Sequence, residues 1–253
     1  MSIWYCACMD RVHLLGIPID PVSMEQALER VLLMLSSDAE HHVMTPNAEM
    51  LVESSRNPAF CDVLRKGALN IPDGISLVWV ARLTGQHLPE RVAGVDFVQR
   101  ICAVLTEKHS VFLLGGREGV GRGASEKLQQ LNPHLCIAGI FEGTPDDADA
   151  AEMIQRINEA KPHILFVAYG APRQDLWIEK HLALLPSVRV AMGVGGTFDF
   201  IAGVRQRAPQ IFQSLGLEWL WRFILEPKRW RRMWRAVVVF PLLVLRYRQN
   251  GNE

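Results

Sequence analysis

Short apolar runs alternate with amphipathic stretches along most of the chain. Strands are predicted at 12–17, 42–45, 68–71, 111–114, 135–140, 163–168 and 188–192, and the segments between most of them have helical periodicity. This order is typical of βαβ units, in which successive strands pair in parallel and helices cover the sheet. The pattern predicts an α/β fold, a Rossmann-like and mostly parallel sheet flanked by helices.

Helix starts are marked by capping residues. Ser23 precedes an amphipathic stretch that extends to about residue 35, and Gln26 completes a capping box. Thr144 and Asp147 have the same spacing, with a proline between them. The segment 147–149, Asp-Ala-Asp, resembles the metal-binding Asp-x-Asp of some sugar-nucleotide enzymes. A helix start explains these acids without a metal, so no metal site is predicted.

Polar residues follow two of the predicted strands directly. Thr45 and Asn47 come at the end of strand 42–45, and Asp73 follows strand 68–71. Ligands of parallel sheets bind outside the carboxyl ends of the strands, so these three side chains are candidates for one pocket. The alternative is that Asn47 only caps a helix and that Asp73 only belongs to a turn.

A glycine-rich turn, 115–121, follows the predicted strand 111–114. Such a turn lets backbone N–H groups approach a phosphate at a helix N-terminus. Its glycine spacing is not a clean G-x-G-x-x-G, and no lysine makes it a P-loop. A nucleotide site and a plain tight turn are both left open, and the turn alone suggests an NAD-dependent oxidoreductase as a rival function.

The charge of the chain is divided unevenly. The 253 residues include 27 basic and 27 acidic ones, but residues 222–253 carry eight basic against two acidic residues, a net charge of +6. Residues 1–221 therefore carry −6. Four tryptophans lie within residues 219–234. We predict a body at 1–209 and a basic, amphipathic helical appendage at 210–253.

The appendage has two faces at helical periodicity. One is basic, and the other contains Trp230, Met233, Trp234, Val237 and Phe240. This pattern favours a helix lying in the surface of an anionic membrane. The apolar run 236–245 is too short to span a bilayer and is interrupted by a proline. A helix packed on the body with solvated arginines is the alternative, and nucleic acid is disfavoured because no recognition motif accompanies the charge.

Several site classes lack support in the sequence. The five cysteines and eight histidines show no metal-ligand spacing, apart from a Cys-Ala-Cys near the start, and no Gly-x-Ser-x-Gly is present. The N-terminus has no basic region followed by an apolar run, so no signal peptide is predicted. We therefore expect reduced thiols and a cytoplasmic protein, peripheral on the inner face of the cell membrane.

Seven motifs together resemble the WecG/TagA/CpsF family of bacterial glycosyltransferases. They are TPNAEM at 45–50, PDG at 72–74, RVAGVD at 91–96, GAPRQDLW at 170–177, GVGGTFDFIAG at 193–203, RAP at 207–209 and EWLWRFILEPKRWRR at 218–232. The resemblance implies a metal-independent, inverting enzyme that needs no cofactor. Its expected substrates are a UDP-sugar and a polyprenyl-diphosphate-linked acceptor, such as undecaprenyl-diphosphate-GlcNAc, at an anionic membrane surface.

The resemblance also implies roles for single residues. Asp73 is expected to be the general base that deprotonates the acceptor hydroxyl, with Thr45 and Asn47 lining the same pocket. Arg91 and Gln174 match residues that hold the diphosphate or the sugar. Asp175 departs from the family pattern, which usually has Glu there, and is interpreted as a helix-start acid.

The charge that develops on the leaving UDP needs stabilisation. Arg222, Arg229 and Arg232 of the appendage are expected to supply it, and Gly195 and Asp199 are expected to bind uridine or ribose. The donor sugar is left open among N-acetylmannosamine, as first choice, glucose and N-acetylmannosaminuronic acid. A nucleotide-binding membrane sensor without turnover is a non-enzymatic alternative, and homo-oligomerisation is left open.

Overall fold

The computed structural model describes residues 10–214, 216, 218–225 and 230–249; within these ranges the description does not include the side chains of Asp147, Gln213, Ser214, Arg222 and Leu225. The strands are β1 (Val12–Leu14), β2 (Ile17–Ile19), β3 (His41–Met44), β4 (Leu69–Asn70), β5 (Ser110–Gly115), β6 (Cys136–Phe141), β7 (Ile164–Ala168) and β8 (Val190–Gly193). Strands β3 to β8 form one parallel sheet in the order β4-β3-β8-β7-β5-β6. The predicted α/β fold with a parallel sheet is confirmed.

Helices connect the strands and continue after the last one. They are α1 (Met24–Leu35), α2 (Ala48–Ser54), α3 (Pro58–Lys66), α4 (Ile75–Leu83), α5 (Gly94–Val104), α6 (Val120–Leu131), α7 (Asp147–Ala160), α8 (Arg173–His181), α9 (Thr197–Ile201), α10 (Gln210–Ser214), α11 (Glu218–Leu225), α12 (Trp230–Trp234) and α13 (Phe240–Gln249). The capping box of Ser23 and Gln26 at α1 is present, as predicted. At α7 the N-cap is Asp146 without a side-chain cap, so the box predicted at Thr144 is wrong; the Thr144 hydroxyl donates to Asp149 instead.

The predicted strand 12–17 is instead a hairpin. Leu15 and Gly16 have φ values of +54° and +73°, so the chain reverses after β1, and β2 pairs with it in antiparallel register. Two successive positive φ angles are the geometry of the tightest hairpin turns. The prediction of a single strand missed this reversal, because only the glycine marks it in the sequence.

The sheet is covered on both faces because successive strand residues point to opposite sides. In β5, Val111 and Leu113 pack with helices α1, α5, α6 and α9, whereas Phe112 and Leu114 pack with α7 and α8. A third buried cluster joins the hairpin to α2, α3, α4 and α13. The C-terminal helix therefore shares a hydrophobic core with the body.

The end of the chain is a helix that runs through a proline. Between α12 and α13, residues Arg235–Val239 form a π-helical turn, and the Phe240 N–H donates to the Arg235 carbonyl. Pro241, which interrupts the apolar run 236–245 in the sequence, follows this wider turn, as expected where a ring displaces the regular bonding pattern. Phe240 was predicted to lie on the same apolar face as Trp230 and Trp234. Instead, Phe240 is buried, whereas Trp230 and Trp234 are more than half exposed, so this part of the prediction is wrong. Within the part of the chain described, no helix is long and apolar enough to cross a membrane.

Candidate active site

Asp73 and Thr45 meet at the carboxyl ends of β4 and β3. The loops are held side by side because the Asp73 N–H donates to the carbonyl of Pro46, at 3.0 Å. A Cβ added to Gly94 would lie 3.4 Å from Asp73 Oδ2 and 3.7 Å from Thr45 Oγ1, so both side chains approach the same point. Thr45 is buried, and the Asp73 side chain is 28% exposed. A carboxylate therefore reaches solvent beside a buried hydroxyl at the sheet edge where ligands bind.

Asn47 has both of the roles that the sequence left open. Its side-chain oxygen accepts from the Met50 N–H at 3.1 Å and so caps α2. Its Cβ would also lie 3.6 Å from a Cβ at Gly74, and the residue lines the same cavity as Asp73. The cap fixes the start of α2 against the loop that carries Asp73.

A series of ion pairs links Asp73 to residues that are distant in sequence. Arg91 Nε lies 4.0 Å from Asp73 Oδ1, and Arg91 also pairs with Glu218 of α11. Glu218 in turn lies 3.3 Å from Arg207, which bonds to both oxygens of Asp96. Burial by itself lowers the pKa of Arg207. The hydrogen bonds to Asp96 and Glu218 and the negative charges of these two carboxylates have the opposite and larger effect, so the pKa is raised overall. The segment after β8 is thus tied to the loop of Asp73 by ion pairs.

A cavity of about 300 Å³ opens between α4, α11 and the C-terminal helix. Its polar lining includes Asn47, Asp73, Arg91, Glu218 and Arg232. Arg232 Nε bonds to a carboxylate oxygen of Glu49, at 2.6 Å, in the first turn of α2. The volume is at the lower end of the range for small-molecule sites. Four predicted site residues, one of them from the C-terminal helix, therefore line one cavity.

Gln174 ties together the loops after β7 and β8. Its side-chain oxygen accepts from the N–H groups of Gly170 at 3.0 Å and Gly195 at 2.9 Å. A Cβ at Gly193 would lie 2.5 Å from Gln174 Nε2, so only glycine leaves room for this buried amide. The predicted residues Gln174 and Gly195 thus contact each other, and the side-chain oxygen of Gln174 bonds to backbone N–H groups rather than toward Asp73.

Asp199 lies near a different strand end. It accepts a hydrogen bond from Arg117 at 2.7 Å and lies 3.8 Å from Arg205. The hydrogen bond and charge of Asp199 raise the pKa of Arg117. Arg117 precedes α6 on one face of the sheet, whereas Arg173 begins α8 on the other. The helices that follow the neighbouring strands β5 and β7 therefore lie on opposite faces of the sheet. Parallel sheets bind nucleotides at such a position.

The glycine-rich turn is shaped by its backbone. Gly115, Gly116 and Gly119 have φ angles of +87°, +93° and +75°, which glycine adopts without strain. The Gly119 N–H at the start of α6 donates to a carboxylate oxygen of Glu142, at 2.6 Å. These angles fit a tight turn, and a carboxylate already occupies one of the amides that a phosphate would use.

The predicted residues fall into two groups. Asp73, Asn47, Arg91 and Arg232 line the cavity, and Thr45 lies beside Asp73. Gln174, Gly195 and Asp199 lie at the ends of β7 and β8. Arg222 belongs to α11, but its side chain is not described, and Arg229 lies outside the described residues. Sequence reasoning missed Arg117, Arg207 and Glu218, although the glycine-rich turn and the motifs at 207–209 and 218–232 contained or adjoined them.

Asp175 is more than a helix-start acid. It lies in the first turn of α8, as predicted, but it is fully buried, with Oδ1 3.7 Å from His42 Nε2. No hydrogen-bond partner is present for either carboxylate oxygen or either His42 ring nitrogen among the described residues. Buried polar groups without partners are costly, so this pair marks a constrained position next to Gln174.

The parallel sheet, the carboxylate at its ligand-binding edge and the arginines around it define an α/β protein with a candidate active-site cavity. The model of the Glycosyl transferase WecG/TagA/CpsF family matches residues 12–253. The chain belongs to this family and is a glycosyltransferase.

Curated relatives agree with this assignment. The chain is 34% identical over 209 residues to the N-acetylglucosaminyldiphosphoundecaprenol N-acetyl-beta-D-mannosaminyltransferase of Bacillus subtilis strain 168, covering 82% of this chain and 80% of the relative. Proteins with the same name from Bacillus spizizenii strain W23 and Staphylococcus aureus strain MRSA252 are 36% and 30% identical. These two alignments cover 76% and 91% of this chain and 74% and 90% of the relatives.

Proposed function

We propose that this protein transfers N-acetylmannosamine from a UDP-sugar to a GlcNAc that is linked by a diphosphate to a polyprenol. The names of the curated relatives support this donor sugar and acceptor. The observation that carries the proposal is the position of Asp73, a partly exposed carboxylate in a cavity with Asn47, Arg91 and Arg232. A carboxylate beside cationic groups suits an acceptor hydroxyl adjacent to a diphosphate.

In the proposed reaction, Asp73 removes the proton from the acceptor hydroxyl. The oxygen attacks the anomeric carbon of the donor sugar as the bond to the UDP oxygen breaks, so the product is inverted and UDP leaves. Thr45, buried next to the carboxylate, and Asn47 would orient the hydroxyl or the sugar. A base that must transfer a proton in the transition state contributes about 10²–10⁴-fold to the rate.

The leaving diphosphate needs positive charge. Arg91 and Arg232 line the cavity, and Arg222 and Arg229 belong to the same C-terminal segment in sequence. We propose that these arginines stabilise the diphosphate, that the reaction needs no metal, and that Gln174, Gly195 and Asp199 hold the uridine side of the donor. Arg117 is added to this group because it follows β5 and bonds to Asp199.

We propose that the enzyme works on the cytoplasmic face of the cell membrane. The exposed Trp230 and Trp234 of α12 would enter the lipid surface, and Arg231 and Arg235, also exposed, would attract anionic headgroups. This arrangement would bring the cavity to its lipid-linked acceptor.

The test is UDP release with undecaprenyl-diphosphate-GlcNAc in vesicles, using a panel of UDP-sugars. UDP-N-acetylmannosamine is expected to support turnover, and Asp73→Asn is expected to lower kcat by at least about 10²-fold. Asp38→Asn is the matched control, because the Asp38 side chain is fully exposed on the surface. Full activity of Asp73→Asn would exclude Asp73 as the base, and turnover with another UDP-sugar alone would reassign the donor.

A further inference from the structure

The cavity that contains Asp73 continues into an apolar groove. Trp79, Val80 and Leu83 of α4 line one side, and Met233, Val237 and Pro241 of the C-terminal helix line the other. Phe223 of α11 also lines it. A concave, mostly apolar cavity with a few polar groups at one end is a candidate binding site.

The two walls run in the same direction away from Asp73. Helix α4 begins two residues after Asp73, and Arg248 near the end of the C-terminal helix donates to the carbonyl of Thr84, which follows α4, at 2.6 Å. At the other end, Arg232 bonds to Glu49 beside the start of α2. The groove is therefore polar at the Asp73 end and apolar toward Leu83 and Pro241.

The groove is long relative to a sugar. From Ile75 to Leu83 the wall on α4 extends about 12 Å, at 1.5 Å per residue. Three of its apolar side chains are substantially exposed, with Trp79 at 49%, Leu83 at 78% and Val237 at 46%. Nothing in the reaction of two sugars and a diphosphate requires this surface, so it calls for an apolar part of a substrate.

We infer that the groove binds the first isoprene units of the acceptor's polyprenyl chain. This inference rests on the proposed function, in which the acceptor is a sugar diphosphate linked to a polyprenol. Such a molecule has a hydroxyl at one end, two negative charges behind it and a hydrocarbon chain beyond. The cavity offers matching ends: the carboxylate of Asp73 at one end, for the hydroxyl, and the apolar walls at the other, for the hydrocarbon chain.

The groove makes the prenyl chain a recognised part of the substrate, rather than only an anchor in the bilayer. The chain would lie against α4 and the C-terminal helix, so the same helix that supplies Arg232 would also form the lipid site. The remaining isoprene units would leave past Pro241 toward the membrane.

The test compares two soluble acceptors in buffer without vesicles or detergent. One is GlcNAc-diphosphate carrying a farnesyl group, and the other carries methyl instead. Binding is measured by calorimetry without donor, so it does not depend on turnover. The farnesyl compound is expected to bind at least tenfold more tightly. Leu83→Ser and Val237→Ser are expected to remove most of this difference, whereas Leu242→Ser, an exposed position on the same helix that does not line the cavity, is expected to preserve it.

Equal binding of the two acceptors would overturn the inference that the groove binds the prenyl chain. Tighter binding of the farnesyl compound only after vesicles are added would also overturn it, because the prenyl chain would then lie in the bilayer. A preference unaffected by the two groove substitutions would also overturn it. UDP release, measured in parallel with the same acceptors, tests the proposed function separately. If the farnesyl compound binds but no UDP is released, the proposed transfer to this acceptor is rejected, and the lipid-binding groove is still supported.

Discussion

Arg91 Nε lies 4.0 Å from Asp73 Oδ1, while its Nη2 bonds to Glu218. One guanidinium thus connects the proposed base to the segment that follows β8. Only a planar, forked cation makes two such contacts in fixed directions, and an ammonium is a single point charge. Arg91 is therefore placed both to orient Asp73 and to meet a diphosphate in the cavity.

Replacement of Arg91 by lysine is expected to lower kcat/KM by about 10- to 100-fold, because hydrogen bonds to charged groups contribute about 1.5–3 kcal/mol each. UDP release gives the measurement. Arg82→Lys, at an exposed position in the last turn of α4, is the control and is expected to behave as wild type. An Arg91→Lys enzyme with unchanged kcat/KM would show that a point charge suffices.

Asn47 and Asn57 offer a matched comparison between a cap and a site. Each accepts from a backbone N–H three residues later at 3.1 Å, Asn47 for α2 and Asn57 for α3. Replacing either with alanine is expected to cost about 0.5–2 kcal/mol of stability, measured by urea denaturation. Only Asn47→Ala is expected to lower turnover beyond this shared effect. Equal activity of the two variants would assign Asn47 to capping alone.

Elements that carry local signals were predictable from the sequence. The buried strands β5 and β7 are continuous apolar runs, and the cap of α1 is fully specified by Ser23 and Gln26. The hairpin was not predictable as such, because its reversal depends on φ angles at Leu15 and Gly16 within an apolar run. The continuation of the C-terminal helix through Pro241 was not predicted, and tertiary packing of Phe240 and Val244 accompanies it.

The site was partly predictable for a similar reason. Asp73 and Thr45 follow strands, and the rule for parallel sheets brings strand ends together without any knowledge of loop geometry. The pairing of Glu218 with Arg91 and Arg207 joins residues more than a hundred positions apart in one case, and no periodicity encodes it. The burial of Asp175 against His42 is likewise a result of packing.

The His42–Asp175 pair is expected to be strongly coupled in stability. Both side chains are buried and lie 3.7 Å apart, so replacing one changes the surroundings of the other. His42→Leu and Asp175→Leu are each expected to destabilise in urea, and the double variant is expected to lose less than their sum. The exposed pair Lys66–Glu179, 2.9 Å apart, is the control and should show no comparable coupling. Additive losses at His42 and Asp175 would mean that the two groups do not interact.

Gly193→Ala is expected to displace Gln174. The added Cβ would lie 2.5 Å from Gln174 Nε2 and 2.7 Å from Asp175 Oδ1, and such overpacking typically costs about 1–3 kcal/mol. Since Gln174 holds the loops after β7 and β8, KM for the UDP-sugar should rise together with the loss of stability. Gly196→Ala is the control for stability, because its nearest contact would be 3.7 Å, an ordinary van der Waals distance. An unchanged KM in a destabilised Gly193→Ala protein would show that these loops do not hold the donor.

Arg232 and Arg235 separate a catalytic from an anchoring role of the C-terminal helix. Both are exposed, but only Arg232 lines the cavity and bonds to Glu49. The Arg232–Glu49 pair is solvent-exposed and should contribute little to stability, so a loss of activity in Arg232→Gln would not reflect unfolding. We expect Arg232→Gln to lower kcat by about tenfold even with a soluble acceptor, as for the loss of one charged hydrogen bond to the leaving diphosphate. Arg235→Gln should leave that kcat unchanged.

Both variants should bind anionic vesicles more weakly, by about 1 kcal/mol for each charge near the surface. If the two variants differ from wild type only in vesicle binding, the helix anchors the enzyme and Arg232 takes no part in catalysis.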